Sequence, residues 1–387
     1  MNIAQIRIVD LEIPQPALRS KPRRRAWIHS AQRALALNKY PEYAHPGTPQ
    51  PGMDETPTWV QVIAEDGTWG LGLCTFAALT APVIEEVFAP LLTGRECLAT
   101  ELHNDLMWRA IQRLGVGGHA TIAQSGVDLA LWDLKGKLLD QPVYRLLGGP
   151  CRESISLYAT TDDLDWAQEL GFSAFKLSNP AHYESGITGL NQLEDHVARA
   201  REQVGPECEL MLNPVMAYNV EYAVQVAERL RPYRLRWLEE PLVPGDCRGH
   251  LELKRAVPYL PIATGEDHHG RQAFLHLIED RSVDILQPDL CWCGGLSEAL
   301  KIYYLAEAAG LQTIPYVGGS TPYGQHLSLA MPEIPMAEFW LASDPGIPLA
   351  EANSIPGMAL PEDGVLVPSD APGFGLEISA SMIVARD

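Results

Sequence analysis

The sequence is poor in basic residues and lacks long apolar runs, and both shortages exclude whole classes of protein. Its 29 lysine and arginine residues stand against 49 acidic ones, a formal net charge of −20. A nucleic-acid surface needs clustered Lys and Arg, so we expect no nucleic-acid partner. No apolar stretch approaches the length of a membrane helix, and the N-terminus lacks the basic start and apolar core of a signal peptide. We therefore expect a cytoplasmic protein without a membrane partner.

Cysteine is also sparse, with seven residues scattered along the chain. Cys291 and Cys293 have neither zinc-finger nor redox spacing, which favours a reducing compartment. The single dense basic run is residues 22–25. It is either a solvated or partner-facing segment, or a basic loop near an acidic substrate.

A chain of 387 residues suits two domains or one decorated barrel. Its first part predicts strands and then helices, which indicates an α+β domain over residues 1–150. The predicted segments are a strand at 3–13, a loop at about 40–57, a hairpin at 57–72 that turns at Asp66-Gly67, and helices over 80–148. The tail, residues 346–387, is rich in Pro and Gly and is expected to return to this domain.

From residue 155 onward, eight short apolar runs alternate with helix-like segments. The runs cover residues 155–160, 172–178, 209–214, 235–241, 261–266, 283–289, 311–316 and 336–340. Near-continuous apolar strands separated by helices predict a parallel sheet covered by helices, and eight units close a barrel. The expected fold class is α/β, with a TIM-like barrel over residues 151–345.

The predicted strand ends carry many polar residues, and the active site of such barrels lies at the carboxyl ends of the strands. These residues are Lys176, Ser178, Asn213, Glu239, Glu240, Glu266, Asp267, Asp289, Tyr316 and Glu338. A charge within an apolar run is costly unless it is paired, hydrated or metal-bound. One such residue can simply cap a helix or pair with Arg, but so many at one barrel mouth predict a functional site.

Asn213, Glu239 and Glu266 are hard oxygen donors on three successive predicted strands. This donor set suits Mg²⁺, which takes a few protein oxygens and keeps places for water and substrate. Zinc is disfavoured because no His or Cys clusters with these residues.

Several motifs carry a family resemblance. They are LWDLKGK at 131–137, VYRLLGG at 143–149, LEEP at 238–241, TGE at 264–266 and QPDLCWCGGLSEALKI at 287–302. The chain resembles the enolase superfamily and, within it, the acid-sugar dehydratases of the mandelate racemase and muconate lactonizing enzyme group. The last motif, with AEFW and PRRRAW, is most similar to the L-rhamnonate dehydratases. The resemblance implies a modified (β/α)7β barrel and an α+β capping domain that the C-terminal tail completes.

The resemblance also implies a chemistry. Mg²⁺, held by Asn213, Glu239 and Glu266, would bind the carboxylate of an acid sugar and stabilise the enediolate formed when a base removes the α-proton. Loss of the β-hydroxyl as water would give a 2-keto-3-deoxy acid, and racemisation or epimerisation is a related outcome. Glu338 matches a residue that contacts the intermediate. A homo-oligomer is expected as well.

The sequence departs from the resembled pattern at the metal and at the base. Asn213 replaces the usual Asp ligand, so the site loses a negative charge and metal affinity should fall. Tyr316 replaces the His base at the end of the seventh strand, while its usual partner Asp289 is present. The reference pKa of Tyr is near 10, far from the value favoured for a general base. Tyr316 is therefore either a base activated by neighbours or a packing residue bonded to Asp289.

Lys176 matches the first position of the family's Lys-x-Lys pair, and Ser178 replaces the second lysine. Lys176 could orient the substrate carboxylate, act as a base if its pKa is depressed, or form a structural ion pair with Glu239 or Glu240. Candidate substrate contacts are His29, Ser178, Asp267 and His268. Asp267 stands where rhamnonate dehydratases have a His, and His29 lies in a loop that covers the barrel mouth in the family.

Two functional hypotheses follow. The first is an acid-sugar dehydratase with unusual acid and base groups. The alternative is a non-catalytic or differently acting homologue that binds an acid sugar or a partner protein, because the usual His and Asp are replaced.

Overall fold

In the computed structural model, the described residues are 1–14, 16–31, 33–43, 57–352 and 355–386. Most of the loop predicted at 40–57 lies outside them. The strands are β1 Ile3–Leu11, β2 Thr58–Ala64, β3 Trp69–Cys74, β4 Ile155–Thr160, β5 Ala174–Ser178, β6 Glu209–Asn213, β7 Leu238–Glu239, β8 Ile262–Thr264, β9 Ile285–Leu286, β10 Gln312–Thr313, β11 Ala337–Trp340, β12 Val365–Leu366 and β13 Ile383–Ala385.

The α-helices lie in the capping domain, between the barrel strands and, for the last of them, after the final barrel strand. They are α1 Ala77–Val83, α2 Ala89–Leu92, α3 Thr100–Ala110, α4 His119–Leu138, α5 Val143–Leu146, α6 Leu164–Glu169, α7 Gly186–Val204, α8 Val220–Leu230, α9 Cys247–Ala256, α10 Gly270–Asp280, α11 Leu296–Ala309, α12 Pro322–Ala330 and α13 Leu349–Ala352. A π-helical stretch, Ile84–Phe88, joins α1 to α2. Among the described residues, no helix is both long enough and apolar enough to span a bilayer.

The capping domain is built on an antiparallel sheet in the order β13-β1-β2-β3. The predicted hairpin turn is confirmed, because Gly67 adopts the left-handed φ of 87° that the turn requires. Helix α4 packs against the sheet at glycines: a Cβ on Gly72 would lie 2.0 Å from the carbonyl oxygen of Gly126. Two small residues thus let helix and sheet approach closely.

The C-terminal tail serves both domains. Strand β13 pairs with β1, as expected of a tail that completes the cap. Strand β12 instead pairs antiparallel with the barrel strand β4, so this part of the tail does not return to the cap. Residues 374–378 form no strand, although Leu376 and Ile378 pack against Trp59 of the capping sheet.

All eight predicted barrel strands are present, parallel and in the order β10-β9-β8-β7-β6-β5-β4-β11. A helix separates each strand from the next, which confirms the (β/α)7β arrangement. The barrel interior contains one layer with a side chain from each strand or from the residue directly beside it: Tyr158, Ala174, Met211, Trp237, Ala263, Ile285, Ile314 and Met336. Successive strand residues alternate in direction, so residues two positions further on form the next layer toward the carboxyl ends. That layer is polar, and it forms the floor of the site.

Candidate active site

The polar layer contains five of the ten polar strand-end residues that the sequence predicted. It is formed by Thr160, Lys176, Asn213, Glu239, Gln287, Tyr316 and Glu338. On the fifth barrel strand the corresponding position is Gly265, where a Cβ would lie 2.7 Å from the backbone nitrogen of Gln287. Its φ of 145° bends the chain there, and Glu266 and Asp267 follow on the next two positions.

Lys176 lies at the centre of the layer and is almost fully buried, with 1% of its side chain exposed. Its ammonium forms an ion pair with Glu239 and another with Glu338, at 2.8 Å from Oε1. Burial by itself lowers the pKa of Lys176, but Glu239, Glu338 and Glu266 outweigh it and hold that pKa above its ordinary value. These carboxylates favour the charged form of Lys176, and so the arrangement does not support the alternative in which a depressed pKa makes Lys176 a base. The predicted ion pair is present, with Glu239 and not Glu240.

The Glu239 carboxylate is surrounded by four hydrogen-bond donors. Oε1 accepts from the Lys176 ammonium and from Nδ2 of Asn213 at 3.0 Å. Oε2 accepts from Nε1 of Trp237 at 2.9 Å and Nε2 of Gln287 at 2.7 Å. A carboxylate offers about four lone-pair positions, so these donors leave Glu239 little free capacity.

Asn213 is held on both sides of its amide. Its Oδ1 accepts from the backbone N–H of Val215 at 2.8 Å, while Nδ2 donates to Glu239. Val215 and Met216 follow with left-handed φ values of 49° and 61°. Such values are costly for a β-branched residue and tend to cluster at functional sites.

A second acidic group, formed by Glu240, Glu266 and Asp267, lies just beyond strands β7 and β8. One carboxylate oxygen from each lies within 4.8 Å of the others. Burial, together with the neighbouring carboxylates, raises the pKa of Glu240 and of Glu266 well above the ordinary value. Three crowded carboxyl groups of this kind require a proton or a cation among them.

Glu338 is fixed by three donors and is fully buried. The Thr160 hydroxyl and the Lys176 ammonium contact Oε1, and the backbone N–H of Val317 donates to Oε2 at 3.0 Å. Val317 again has a left-handed φ, 42°. The strained turn after the seventh barrel strand thus presents its N–H group to Glu338.

Tyr316 lies at the mouth of the barrel, where its ring centroid is 5.7 Å from Nζ of Lys176 and 6.3 Å from the ring of Trp292. Asp289, which ends the sixth predicted strand, is also buried, and its Oδ1 accepts from the N–H of Cys291 at 2.7 Å. The structure therefore brings Tyr316 next to the central ammonium.

Ser178 faces a residue that the sequence reasoning missed, Asp162. The Ser178 hydroxyl and N–H both donate to Asp162, whose Oδ1 lies 3.5 Å from Nε2 of His196. Burial raises the pKa of Asp162, but His196 and Ser178 outweigh that effect and lower it. The signal was present in the sequence, since the first barrel strand ends in the polar run Thr160–Asp163.

His268 is buried, and neither of its ring nitrogens has a hydrogen-bond partner. Its ring packs 5.6 Å from that of Phe274, a residue of the core between barrel and helices, and burial lowers its pKa to about 3. In the neighbouring His269, Nδ1 lies 3.0 Å from the carbonyl oxygen of Trp292. The substrate contact by His268 stays a prediction.

The capping domain meets the barrel mouth at Trp292. Its Nε1 donates to the Thr75 hydroxyl at 2.9 Å, and its ring lies 5.8 Å from that of Phe76. The Phe76 ring is also 5.6 Å from His119, at the start of α4. Aromatic residues of both domains thus line one side of the mouth.

The segment around Trp27 contacts the ends of two other barrel strands. Trp27 donates its backbone N–H to Asp163 at 2.7 Å and its Nε1 to the carbonyl oxygen of Leu341 at 2.8 Å. These contacts connect the loop to segments after the first and eighth barrel strands. His29, which is exposed, ends the short 3-10 turn that Trp27 begins.

The basic run in this loop is paired with acidic residues of the barrel. Arg23 pairs with Glu169 at 2.8 Å, and Arg24 pairs with Asp163 at 2.8 Å and Asp165 at 2.5 Å. Arg23 and Arg24 therefore attach the loop to the barrel.

Comparisons with known proteins agree with this architecture. Residues 161–382 match the family described as enolase C-terminal domain-like, and residues 53–148 match the N-terminal domain of mandelate racemase and muconate lactonizing enzyme. The chain is 37% identical over 357 residues to an L-rhamnonate dehydratase of Saccharopolyspora erythraea, covering 91% of each protein.

Solved structures give the same relationship. The crystal structure of L-rhamnonate dehydratase from Gibberella zeae has a TM-score of 0.88 at 29% identity, covering 99% of this chain and 96% of that one. A crystal structure of rhamnonate dehydratase from the same organism complexed with Mg has a TM-score of 0.89, with the same identity and coverage. The chain therefore belongs to the mandelate racemase and muconate lactonizing enzyme family of the enolase superfamily.

Proposed function

We propose that this chain is an acid-sugar dehydratase of the L-rhamnonate dehydratase type. The observation that carries the proposal is the charged Lys176 ammonium beside Glu338 and Tyr316 at the carboxyl ends of the barrel strands. This ammonium fixes Glu239 and Glu338 at the base of the mouth, where the proposed acid sugar would bind. The likeness to an L-rhamnonate dehydratase over 91% of the chain supports the same substrate class.

The proposed reaction removes the proton on the carbon next to the carboxylate, and its electron pair forms an enediolate. The β-hydroxyl then takes a proton and leaves as water, and the resulting enol becomes a 2-keto-3-deoxy acid. This dehydration involves no net oxidation or reduction. It therefore needs only groups that transfer protons and stabilise charge.

The site also fits a divalent cation, because hard carboxylate oxygens are crowded around Glu266 without a basic partner among the described residues. We propose Mg²⁺, as in the related Gibberella zeae structure. When bound, the ion would supply positive charge for the substrate carboxylate and the developing enediolate.

The chain's own residues have separate tasks in this proposal. Lys176, kept protonated by its carboxylate neighbours and closed to solvent, fixes the Glu239 and Glu338 carboxylates beneath the substrate. Glu338 is fixed by three donors and holds the ammonium in place. Tyr316 replaces the missing His as the group that transfers a proton, since it ends the seventh strand and lies next to Lys176. The loop at Trp27 and the aromatic contact at Trp292 exclude water from the mouth.

The test is turnover of a panel of six-carbon acid sugars, L-rhamnonate among them, by the purified chain with Mg²⁺. We expect a 2-keto acid from at least one sugar and no product after chelation of the metal. Absence of product from every sugar, together with no exchange of the α-proton in D₂O, would overturn the proposal.

A second candidate is a protein that binds an acid sugar without converting it. The saturated Glu239 carboxylate and the amide at Asn213 favour this alternative, because Asn213 replaces a charged ligand and the oxygens of Glu239 already accept four hydrogen bonds. Calorimetric binding of a sugar acid with no α-proton exchange would support it.

A further inference from the structure

We propose that the divalent cation of this chain is bound by Glu240, Glu266 and Asp267, and that Glu239 serves as the internal counter-ion of Lys176. Only Glu266 is shared with the ligand set that the family pattern implies. The inference deepens the proposed function by naming the ligands, but cation binding can be measured without any substrate.

The three side chains already form a compact group of oxygen donors. One oxygen of each lies within 4.8 Å of the others, a spacing that one ion can bridge with small movements. Glu240 follows β7 directly, and its N–H donates to Ala263 of the neighbouring β8 at 2.9 Å. Glu266 and Asp267 follow β8, so the two adjacent strands bring the donors together.

Glu240 supplies an independent sign that a ligand belongs here. Its side chain is 1% exposed, yet neither carboxylate oxygen has an N–H or hydroxyl donor. No Lys or Arg of the described residues forms an ion pair with Glu240, Glu266 or Asp267. The polar contact of Glu240 is with another carboxyl group, that of Glu266. Two buried carboxylates in contact are strongly unfavourable, so a proton or a cation must compensate them.

The backbone supports the same assignment. Glu240 has a left-handed φ of 41°, which is uncommon for a residue other than glycine. Its carbonyl oxygen accepts from the N–H of Met216 at 2.7 Å, which connects the strained turns after β6 and β7. The strain turns the Glu240 side chain away from an alternating strand position and toward Glu266.

Asn213 and Glu239, the other two ligands that the family pattern implies, have fewer free oxygen lone pairs for a cation. Both oxygens of Glu239 already take two donors each, among them the Lys176 ammonium. Ligation by Glu239 would place a divalent ion beside that ammonium and would displace at least one donor. Asn213 donates toward Glu239, and its oxygen already accepts from Val215. Asp267, in contrast, is only half-buried and gives the carboxylate group a route to solvent.

The competing occupant is a proton shared between Glu240 and Glu266. The distinguishing experiment titrates Mg²⁺ into the full-length, chelator-treated protein by calorimetry and Mn²⁺ by electron paramagnetic resonance. The variants are E240Q, D267N and N213D, with E252Q as a matched control at an exposed position of α9.

We expect one cation site in the unmodified protein, and E240Q and D267N each to weaken Mg²⁺ binding by about tenfold or more. E252Q and N213D should change the affinity by less than about threefold, since neither residue would be a ligand. An unmodified protein that binds no cation would mean that the proton occupies the site, and it would overturn the proposal. A loss below about tenfold in either E240Q or D267N would overturn it too, as would a tenfold gain in N213D.

Circular dichroism and thermal unfolding confirm that each variant is folded. If E240Q fails to fold, D267N decides alone, because its position is half-buried. Failure of the dehydratase proposal looks different: the cation binds as stated, but no sugar acid exchanges its α-proton.

Discussion

Lys176 and Glu338 form an ion pair that is closed to solvent, with 2.8 Å between Nζ and Oε1 and at most 1% of either side chain exposed. The same ammonium contacts Glu239 from a third strand. One buried cation therefore joins β5, β7 and β11 across the barrel interior. Its charge is needed to compensate two carboxylates that no water can reach.

Replacing Lys176 with Met should strongly destabilise the protein, because Glu239 and Glu338 would remain buried without a cation. We expect a loss of about 3–5 kcal/mol in the free energy of unfolding, measured in urea. The control is K254M, which breaks the pair of Lys254 and Asp284 at 2.6 Å. That pair is partly exposed, so its loss should cost about 1 kcal/mol or less. Equal losses in the two variants would contradict the counter-ion role.

Replacing Tyr316 with Phe removes only the hydroxyl. If Tyr316 transfers the proton, kcat should fall by about 100-fold or more while sugar-acid binding changes little. Calorimetric affinity and the rate of α-proton exchange measure the two effects separately. A Y316F variant that retains most of its kcat would assign Tyr316 to packing and leave the base elsewhere.

The sequence was sufficient to predict the barrel, because each strand carries its own signal. The runs at 155–160 and 209–214 are apolar on both faces, as strands buried on both sides must be, and both became strands of the interior. The polar floor followed from the same reasoning, since Lys176 and Glu239 interrupt runs that are otherwise apolar.

The partners of those residues could not be predicted, because they depend on backbone details with no sequence signature. Glu239 and Glu240 are adjacent and chemically identical, and only the left-handed φ of Glu240 separates their environments. The saturation of Glu239 likewise depends on Trp237 and Gln287, which belong to different strands. The burial of His268 against the ring of Phe274 likewise has no signal in the local sequence.

Asp128, in α4 of the capping domain, should make stability depend on pH. Its Oδ2 accepts from the N–H of Ser297 in α11 at 2.9 Å, while Oδ1 is buried without a partner. Burial raises the pKa of Asp128 from 3.8 to about 7. An acid with a raised folded-state pKa contributes its stability below the unfolded pKa, and that contribution is lost as pH rises through about 7.

The D128N variant removes this titration and keeps an oxygen for Ser297. Relative to D128N, the unmodified protein should lose on the order of 2–4 kcal/mol between pH 4 and pH 8. Urea unfolding of both proteins across this range measures the difference. A gap between the two proteins that is independent of pH would contradict the assignment of the shift to Asp128.

Asp163 should control the loop that covers the mouth, since it accepts from Arg24 and from the backbone of Trp27. The D163A variant should raise KM by several-fold with a smaller effect on kcat, and limited proteolysis should cut the loop faster. E169A is the matched control, because it removes only the exposed pair with Arg23. A D163A variant with the KM of E169A would show that the loop does not depend on this anchor.

The most direct test of the central claim is a proton NMR time course of L-rhamnonate with the purified chain and Mg²⁺ in D₂O. The proposed dehydratase predicts that the signal of the proton next to the carboxylate disappears as signals of a 2-keto-3-deoxy acid grow. A substrate spectrum unchanged over many hours, from protein shown to be folded and to bind the cation, would contradict the claim.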